Sequence, residues 1–265
     1  MNPSYQITVD IGGMPILLHT QDDSFRQLLA RRYAGFVDSA VSPRFEFDIE
    51  LTTPSRKAPD EDVRVEMRDG TWRLGRGDFR ARWDPGARRG RIRQSANPYS
   101  IDSVLRIVHT LILAHEGGFL LHSAGAIRNG RAFLFSGVSG AGKTTISRLA
   151  PPDVTLLTDE VSYVRRVDAG YRACGTPFAG ELARVGENCS APIASLFFLK
   201  QGPENKIEAV AKSEAVRRLM RNILFFAEDA ALVEEVFQSA CEFVEHVPVQ
   251  QLTFTPDSRV WGMIA

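Results

Sequence analysis

The residues Gly137-Val138-Ser139-Gly140-Ala141-Gly142-Lys143-Thr144 follow the spacing Gly, four residues, Gly-Lys-Thr, which is that of a Walker A phosphate-binding loop. Glycine lets consecutive backbone N–H groups turn inward around a phosphate chain, and Ser139 sits within the same wrap. Lys143 reaches the β- and γ-phosphates, and the Thr144 hydroxyl is a Mg²⁺ ligand. The apolar run Arg131–Ser136 precedes the loop, and a helix is expected from Thr145 to Leu149. Such a helix adds partial positive charge at its N-terminus. A Gly-rich turn between strand and helix is the structural alternative. The strand before, the helix after and Lys-Thr in register favour a nucleotide-phosphate site with Mg²⁺, made by Gly137, Ser139, Gly140, Ala141, Gly142, Lys143, Thr144 and Thr145.

Acidic residues come next. Asp159-Glu160 closes the short apolar strand Val154–Thr158, so Asp159 is expected at a strand tip beside the loop, where carboxylates hold Mg²⁺ or its waters. A hydroxyl acceptor also needs a carboxylate to orient it and take its proton, and Glu160 can do either job. Carboxylates at such places also cap loops. His122 lies on the strand just before the phosphate-loop hairpin. A lone strand histidine is more often packed and hydrogen-bonded than catalytic.

Together, Leu121-His122-Ser123-Ala124, Gly137 to Thr144, Leu157-Thr158-Asp159-Glu160, Gly175-Thr176-Pro177 and Glu181 resemble the HPr kinase/phosphorylase catalytic domain, of the phosphoenolpyruvate-carboxykinase-like phosphate-loop fold. The resemblance covers about Phe119 to Gly186. It implies catalytic roles for His122, Lys143 and Asp159, the last as general base, and a metal site on Thr144, Glu160 and Glu181. Less strictly, nearly the whole chain resembles HPr-kinase-related proteins found beside peptide-modification genes, including kinases that phosphorylate lasso-peptide precursors on a serine. The implied activity is phosphoryl transfer from ATP to a serine of a peptide or protein. An ATP-binding regulator without transfer and a small-molecule kinase remain alternatives. Lys143 is followed by Thr144-Thr145 where HPr kinases have Ser-Glu, the second acid is Glu160 rather than Asp, and Glu181-Leu182-Ala183-Arg184 departs from the phosphorylase loop Glu-Ile-Arg-Gly. Phosphorylase activity and HPr as substrate are therefore not carried over.

The implied fold class is α/β: a PEP-carboxykinase/HPr-kinase-like phosphate-loop domain with a mixed sheet over 96–265, preceded by a β-rich α+β portion over 1–95. Alternation predicts strands at Tyr5–Ile11, Met14–His19 and Phe45–Leu51, with the Gly12-Gly13 turn making a hairpin of the first two. Asp23 is expected to cap a helix from Ser24 towards Phe36. Thr53 to Asp62 reads as a loop. Short strands between Val63 and Gln94, separated by Asp69-Gly70, Gly75–Gly77 and Asp84-Pro85-Gly86, read as a meander. It carries Arg73, Arg76, Arg80, Arg82, Arg88, Arg89, Arg91 and Arg93. Alternating arginines are ordinarily one solvated face of a sheet, and an anionic partner is the sharper reading. A buried helix is predicted over Ser100–His115, then strands Phe119–Ile127 and Arg131–Ser136. A hairpin follows at Val161–Cys174, then a loop at Gly175–Glu181 and a strand at Ala194–Leu199. A helix from Ser213 through Leu224, a second over Asp229–Glu242 and a broken strand over Phe243–Phe254 complete the chain.

Composition sets limits. In 265 residues, 32 Lys+Arg balance 32 Asp+Glu, so no nucleic-acid or membrane partner is expected. Cys174, Cys189 and Cys241 form no close pair, which indicates neither a disulfide framework nor a cysteine zinc site. No basic segment with a long apolar run opens the chain, and no stretch is apolar enough to span a bilayer. A cytoplasmic protein is expected, with homo-oligomerisation left open.

Overall fold

A computed structural model describes residues 4–53, 62–180, 182 and 185–264. By proximity of backbone the chain divides into two units, Met1–Leu111 with Phe225–Val233, and Ile112–Leu224 with Glu234–Ala265. The sequence places the change of character at residues 95–96, within the first unit.

The first unit contains β1 (Tyr5–Ile11), β2 (Met14–Thr20), α1 (Asp23–Arg32), β3 (Phe45–Leu51), β4 (Arg64–Arg68), β5 (Thr71–Arg76), β6 (Phe79–Asp84) and β7 (Arg89–Gln94). The first part of α2 (Pro98–His115) and Phe225–Val233 complete it. The described strands form one sheet in the order β1-β2-β3-β7-β6-β5-β4. Antiparallel β4–β7 is the expected meander; β2–β3 and β3–β7 run parallel. Period-two alternation sends Ile7, Leu18, Phe47, Trp83 and Trp72 to one buried face. Gly90 is needed in that row, because any Cβ there would run into the Phe47 ring. The expected loop at Thr53–Asp62 lies, from 54 to 61, outside the described residues.

Helix α1 starts one residue earlier than expected. Asp22, not Asp23, is its cap: the Asp22 carboxylate accepts the Phe25 N–H at 2.8 Å. The helix ends at Arg32, short of Phe36. The Tyr33 hydroxyl donates to the buried Asp102 carboxylate at 2.7 Å, and Arg32 pairs with the same carboxylate. These tie α1 to α2 and leave Phe36 in the turn that follows.

The second unit contains β8 (Phe119–Arg128), β9 (Arg131–Ser136), α3 (Lys143–Arg148), β10 (Thr155–Thr158), β11 (Val161–Val167), β12 (Gly170–Cys174), β13 (Ser190–Gln201), β14 (Lys206–Ala209), α4 (Lys212–Met220), β15 (Ile223–Leu224), α5 (Ala230–His246, from Glu234 onward) and β16 (Val249–Phe254), with a 3₁₀ segment at Ser258–Met263. The sheet is mixed: β13 runs parallel to β9 and β16 and antiparallel to β12. Its pairings close a circuit, β8–β9–β13–β12–β11–β8. Strands β9 and β13 are buried on both faces. Leu134, Leu196 and Phe198 pack with Phe119, Tyr171 and Phe243, whereas Phe133, Phe135 and Phe197 pack with Ile146 and Trp261. Strands covered on both sides read as continuous apolar runs, as Ala132–Ser136 and Ala194–Leu199 do.

Two expectations fail here. Ile223 and Leu224 are not the end of a helix. α4 stops at Met220, and the pair forms β15 against Leu121 and Leu120 of β8. Phe243–His246 is the last turn of α5 rather than strand, and Phe243 is fully buried against Phe119 and Tyr171. In both places an apolar run fits either period, and the tertiary partner decides.

Helix α3 is anchored from beneath. The Trp261 indole N–H donates to the Ile146 carbonyl at 3.1 Å, and its ring meets Phe135 edge-on at 5.5 Å. Replacing Trp261 by Phe keeps most of the packing and leaves that buried carbonyl without its donor, a cost of roughly 1–3 kcal/mol. The expected outcome is a lower urea midpoint with unchanged slope; an unaltered midpoint would show that the anchor contributes nothing.

Candidate functional site

The Gly-rich loop expected between a strand and a helix lies between β9 and α3. Gly140 and Gly142 hold φ of 78° and 113°, in the region open to glycine and strained for other residues. Gly142 has a second reason to lack a side chain: a Cβ would stand 2.6 Å from the Phe254 ring. Gly137 is equally crowded, with a Cβ there 2.8 Å from that of Ala141. The Ala141 N–H closes the turn on the Val138 carbonyl at 3.1 Å. Helix α3 begins at Lys143, two residues before the expected start, and spans six residues. A helix dipole so short adds little, and the positive character rests on loop amides and Lys143. The Lys143 ammonium folds back onto the Gly137 carbonyl at 3.0 Å. Gln201, at the end of β13, donates to the Gly140 carbonyl at 2.7 Å.

Strand β8 brings the other groups here. Its first half, to His122, pairs with β11 and β15; its second half, from Ser123, pairs with β9, and from Gly125 with β10 as well. His122 stands at this change of partners. Its N–H donates to the Asn222 carbonyl at 2.7 Å, its carbonyl accepts from the Ser136 hydroxyl at 2.9 Å, and its Cα partner is Val161. Next along, the Ser123 N–H donates to the Glu160 carbonyl at 3.0 Å. The Thr158 hydroxyl accepts the amides of Glu160 and Val161 and shapes the turn that presents the acidic pair.

One concavity of about 560 Å³ collects these residues. His122, Ser139, Gly140, Gly142, Lys143, Thr144, Thr145, Asp159 and Glu160 line it, with Ala179 and Gly180 from the loop after β12. Of the residues expected to hold nucleotide, Gly137 and Ala141 do not line it; they shape the loop from below. Glu181, expected as a metal ligand, lies outside the described residues. Its neighbours are fixed by Asp159, which is buried and whose two carboxylate oxygens accept the Gly180 and Leu182 N–H groups at 2.8 Å each. Sequence reasoning placed Asp159 beside the phosphate loop without this bond pair. Gln201 and Asn222 were also missed. Both act through contacts far apart in sequence, for which no local pattern exists.

Among the described residues no cluster of three or more His, Cys, Asp and Glu side chains is arranged to hold a metal ion. Mg²⁺ does not require one, since it is commonly held by one or two carboxylates with substrate phosphates and water. The Thr144 hydroxyl with Glu160 or Asp159 fits that donor set. No described helix is long and apolar enough to cross a membrane.

The family model for SynChlorMet cassette protein ScmC matches residues 93–265, and the chain belongs to that family. No curated protein matches it. The match begins at the end of β7, so β1–β6 lie outside it.

Gly142→Ala places a side chain where both φ and Phe254 oppose it. Circular dichroism should remain that of the wild type, while affinity for a fluorescent ATP analogue should fall at least roughly tenfold, the equivalent of about 1.4 kcal/mol. Wild-type affinity would show that this loop does not hold phosphates.

Proposed function

We propose that this ScmC-family chain is an ATP-dependent kinase that phosphorylates a serine hydroxyl of a peptide or protein, in the cytoplasm, on a phosphate-loop fold of the HPr-kinase type. The observation that carries this reading is the convergence, in one concavity, of the Walker A loop with His122, Asp159 and Glu160. A loop alone would mean nucleotide binding; carboxylates facing it supply what transfer to a hydroxyl needs. The family's description as a cassette protein fits an enzyme whose acceptor is encoded beside it.

In this reading the loop amides and Lys143 hold the β- and γ-phosphates, Lys143 exchanging the Gly137 carbonyl for phosphate oxygens. Mg²⁺ on Thr144, with Glu160 as a further ligand, would neutralise phosphate charge. The acceptor oxygen bonds to the γ-phosphorus as the bond to the β–γ bridging oxygen breaks. The hydroxyl proton passes to Asp159, and ADP leaves. His122 faces the same space and supports the transferred group. Positioning and charge stabilisation carry most of such a reaction.

A second reading, a nucleotide-binding regulator without transfer, is favoured by one observation. Both oxygens of Asp159 are engaged by backbone amides of the 179–182 loop, the arrangement of a carboxylate that holds a loop.

The tests separate these readings. Lys143→Ala should lower ATP affinity by on the order of tenfold or more, each charge-assisted contact being worth roughly 1.5–3 kcal/mol, and chelation by EDTA should abolish transfer. Asp159→Asn should leave ATP affinity near wild type and cut transfer to a serine peptide by roughly a hundred- to ten-thousand-fold, the usual worth of a general base. Asn can accept only one of the two amides through its single carbonyl oxygen, so proteolysis within residues 179–187 reports loosening of the loop. If Glu160→Gln rather than Asp159→Asn abolishes transfer, the base is Glu160 and Asp159 holds the loop. If neither variant affects transfer, or no peptide accepts phosphate, the kinase reading fails.

A further inference from the structure

The first unit, most of which lies outside the family match, carries a charged face that phosphoryl transfer does not use. Opposite the buried row of Trp72, Trp83 and Phe47, the outward side chains fall into rows fixed by register. Arg73 pairs with Arg82, and Arg82 with Arg91. In the next row Arg80 lies between Gly75 and Arg93. The two exposed arginines of β6 thus have only arginine or glycine across from them on both sides. Like charges directly opposite one another destabilise a sheet.

Acids stand only across from the outer members of these rows, Glu66 from Arg73, Asp48 from Arg91 and Glu50 from Arg93, and none stands across from Arg80 or Arg82. Glu50 pairs with Arg93 at 3.0 Å, Glu46 with Arg89 at 3.9 Å, Glu66 with Arg68 at 2.9 Å and Asp78 with Arg76 at 2.6 Å. Among the described residues no ion pair involves Arg73, Arg80, Arg82 or Arg91. The face is also concave. A cavity of about 970 Å³ is lined by these arginines and Phe226, with Glu50, Asp62, Glu66 and Glu228 among the same lining. Gly75, beside Arg80, leaves its floor open: a Cβ there would meet nothing nearer than the Phe79 carbonyl at 3.9 Å.

We propose that this face docks an extended acidic peptide segment lying along β6, its alternate carboxylates meeting Arg80 and Arg82 and their cross-strand neighbours. Arg80 and Arg82 project from one face two residues apart, a spacing of roughly 7 Å that matches alternate side chains of an extended chain. Guanidinium groups bind carboxylates in two-pronged fashion. Acids bound the basic area, with Asp48 across from Arg91 and Glu66 across from Arg73, which suits a short acidic segment and not a long polyanion. The chain's own residues 54–61 carry Arg56, Lys57, Asp60 and Glu61, with no net negative charge to offer. The proposal is independent of phosphoryl transfer, and its test contains no ATP.

The test is fluorescence anisotropy of a fluorescein-labelled peptide of alternating Glu and Thr against the full chain at low ionic strength. Saturable binding is expected, weakened roughly tenfold in Arg82→Thr and falling steadily with added salt. The melting temperature of Arg82→Thr should equal or exceed that of the wild type, since the change removes a like-charge neighbour from both sides. Arg80→Gln repeats the test at a position with one basic neighbour. Lys143→Ala should bind the peptide as the wild type does, which keeps this proposal separable from the phosphate-loop reading. Absence of peptide binding, or equal binding by the arginine variants, would overturn it. So would a lowered melting temperature in both variants, loss of binding in Lys143→Ala, or tighter binding of an oligothymidylate strand.

Discussion

Strand β8 cannot keep one set of neighbours along its length, and the site depends on that. Through Leu121 and His122 its ladder is made with β11 on one edge and β15 on the other. From Ser123 onward it is made with β9, joined from Gly125 by β10. At the junction the hydrogen bonds are made by substitutes. Asn222 accepts from His122, Ser136 donates to the His122 carbonyl, and the Glu160 carbonyl takes the Ser123 amide. A sheet that splits leaves a crevice at its switch point, and ligands of α/β proteins bind in such crevices. Here the Gly-rich loop leaves β9 and the acidic pair leaves β10, and both line one concavity.

Asp159 makes a second coupling. Its buried carboxylate accepts two amides from the loop after β12, and Gly180 fits there because a Cβ would approach the Glu160 Cβ to 2.9 Å and an Asp159 oxygen to 3.0 Å. The same loop is stitched to β10, with Thr176 N–H on the Leu157 carbonyl and Glu187 N–H on that of Leu156. A change at Asp159 therefore acts on charge and on the position of Gly180 and Leu182 together. The two acids, adjacent in sequence, are thus distinguished by the amides of Gly180 and Leu182, which Asp159 accepts.

Much of this was legible from residue order because it is local. The Gly-rich strand-to-helix loop, the hairpins and both faces of the meander follow from glycine positions and from periods of two, and all were placed to within a few residues. What escaped has a common cause. Ile223-Leu224 became strand because β8 had an edge to offer, and Phe243 became helix because Phe119 and Tyr171 wait for it. Gln201 reaches Gly140 across 61 positions of sequence. The Asp159 bonds were open to only half a reading: the acid's place at a strand tip is local, but its amide partners lie 21 and 23 residues on. Asp22 and Asp23 were confused because either can cap a helix, and backbone geometry at one residue decides.

Charge shows the same division between what composition can and cannot say. With 32 basic and 32 acidic residues the chain is neutral, and neutrality argues against an anionic partner only where the charges are mixed. They are mixed between β3 and β7, where Glu46, Asp48 and Glu50 face Arg89, Arg91 and Arg93, but not within β5–β7. The outward residues of β3 are Glu46, Asp48 and Glu50, and those of β6 include Arg80 and Arg82. Alternation within a strand sets which residues point outward, but not which lie side by side. The hairpin registers do that, placing Arg82 between Arg73 and Arg91. Mixing these signs across neighbouring strands would relieve the repulsion within β5–β7 at no cost in hydrophobic burial, since all of them lie on the outward face. A sheet that keeps the unfavourable arrangement holds electrostatic free energy that an anionic partner, like added salt, would lower.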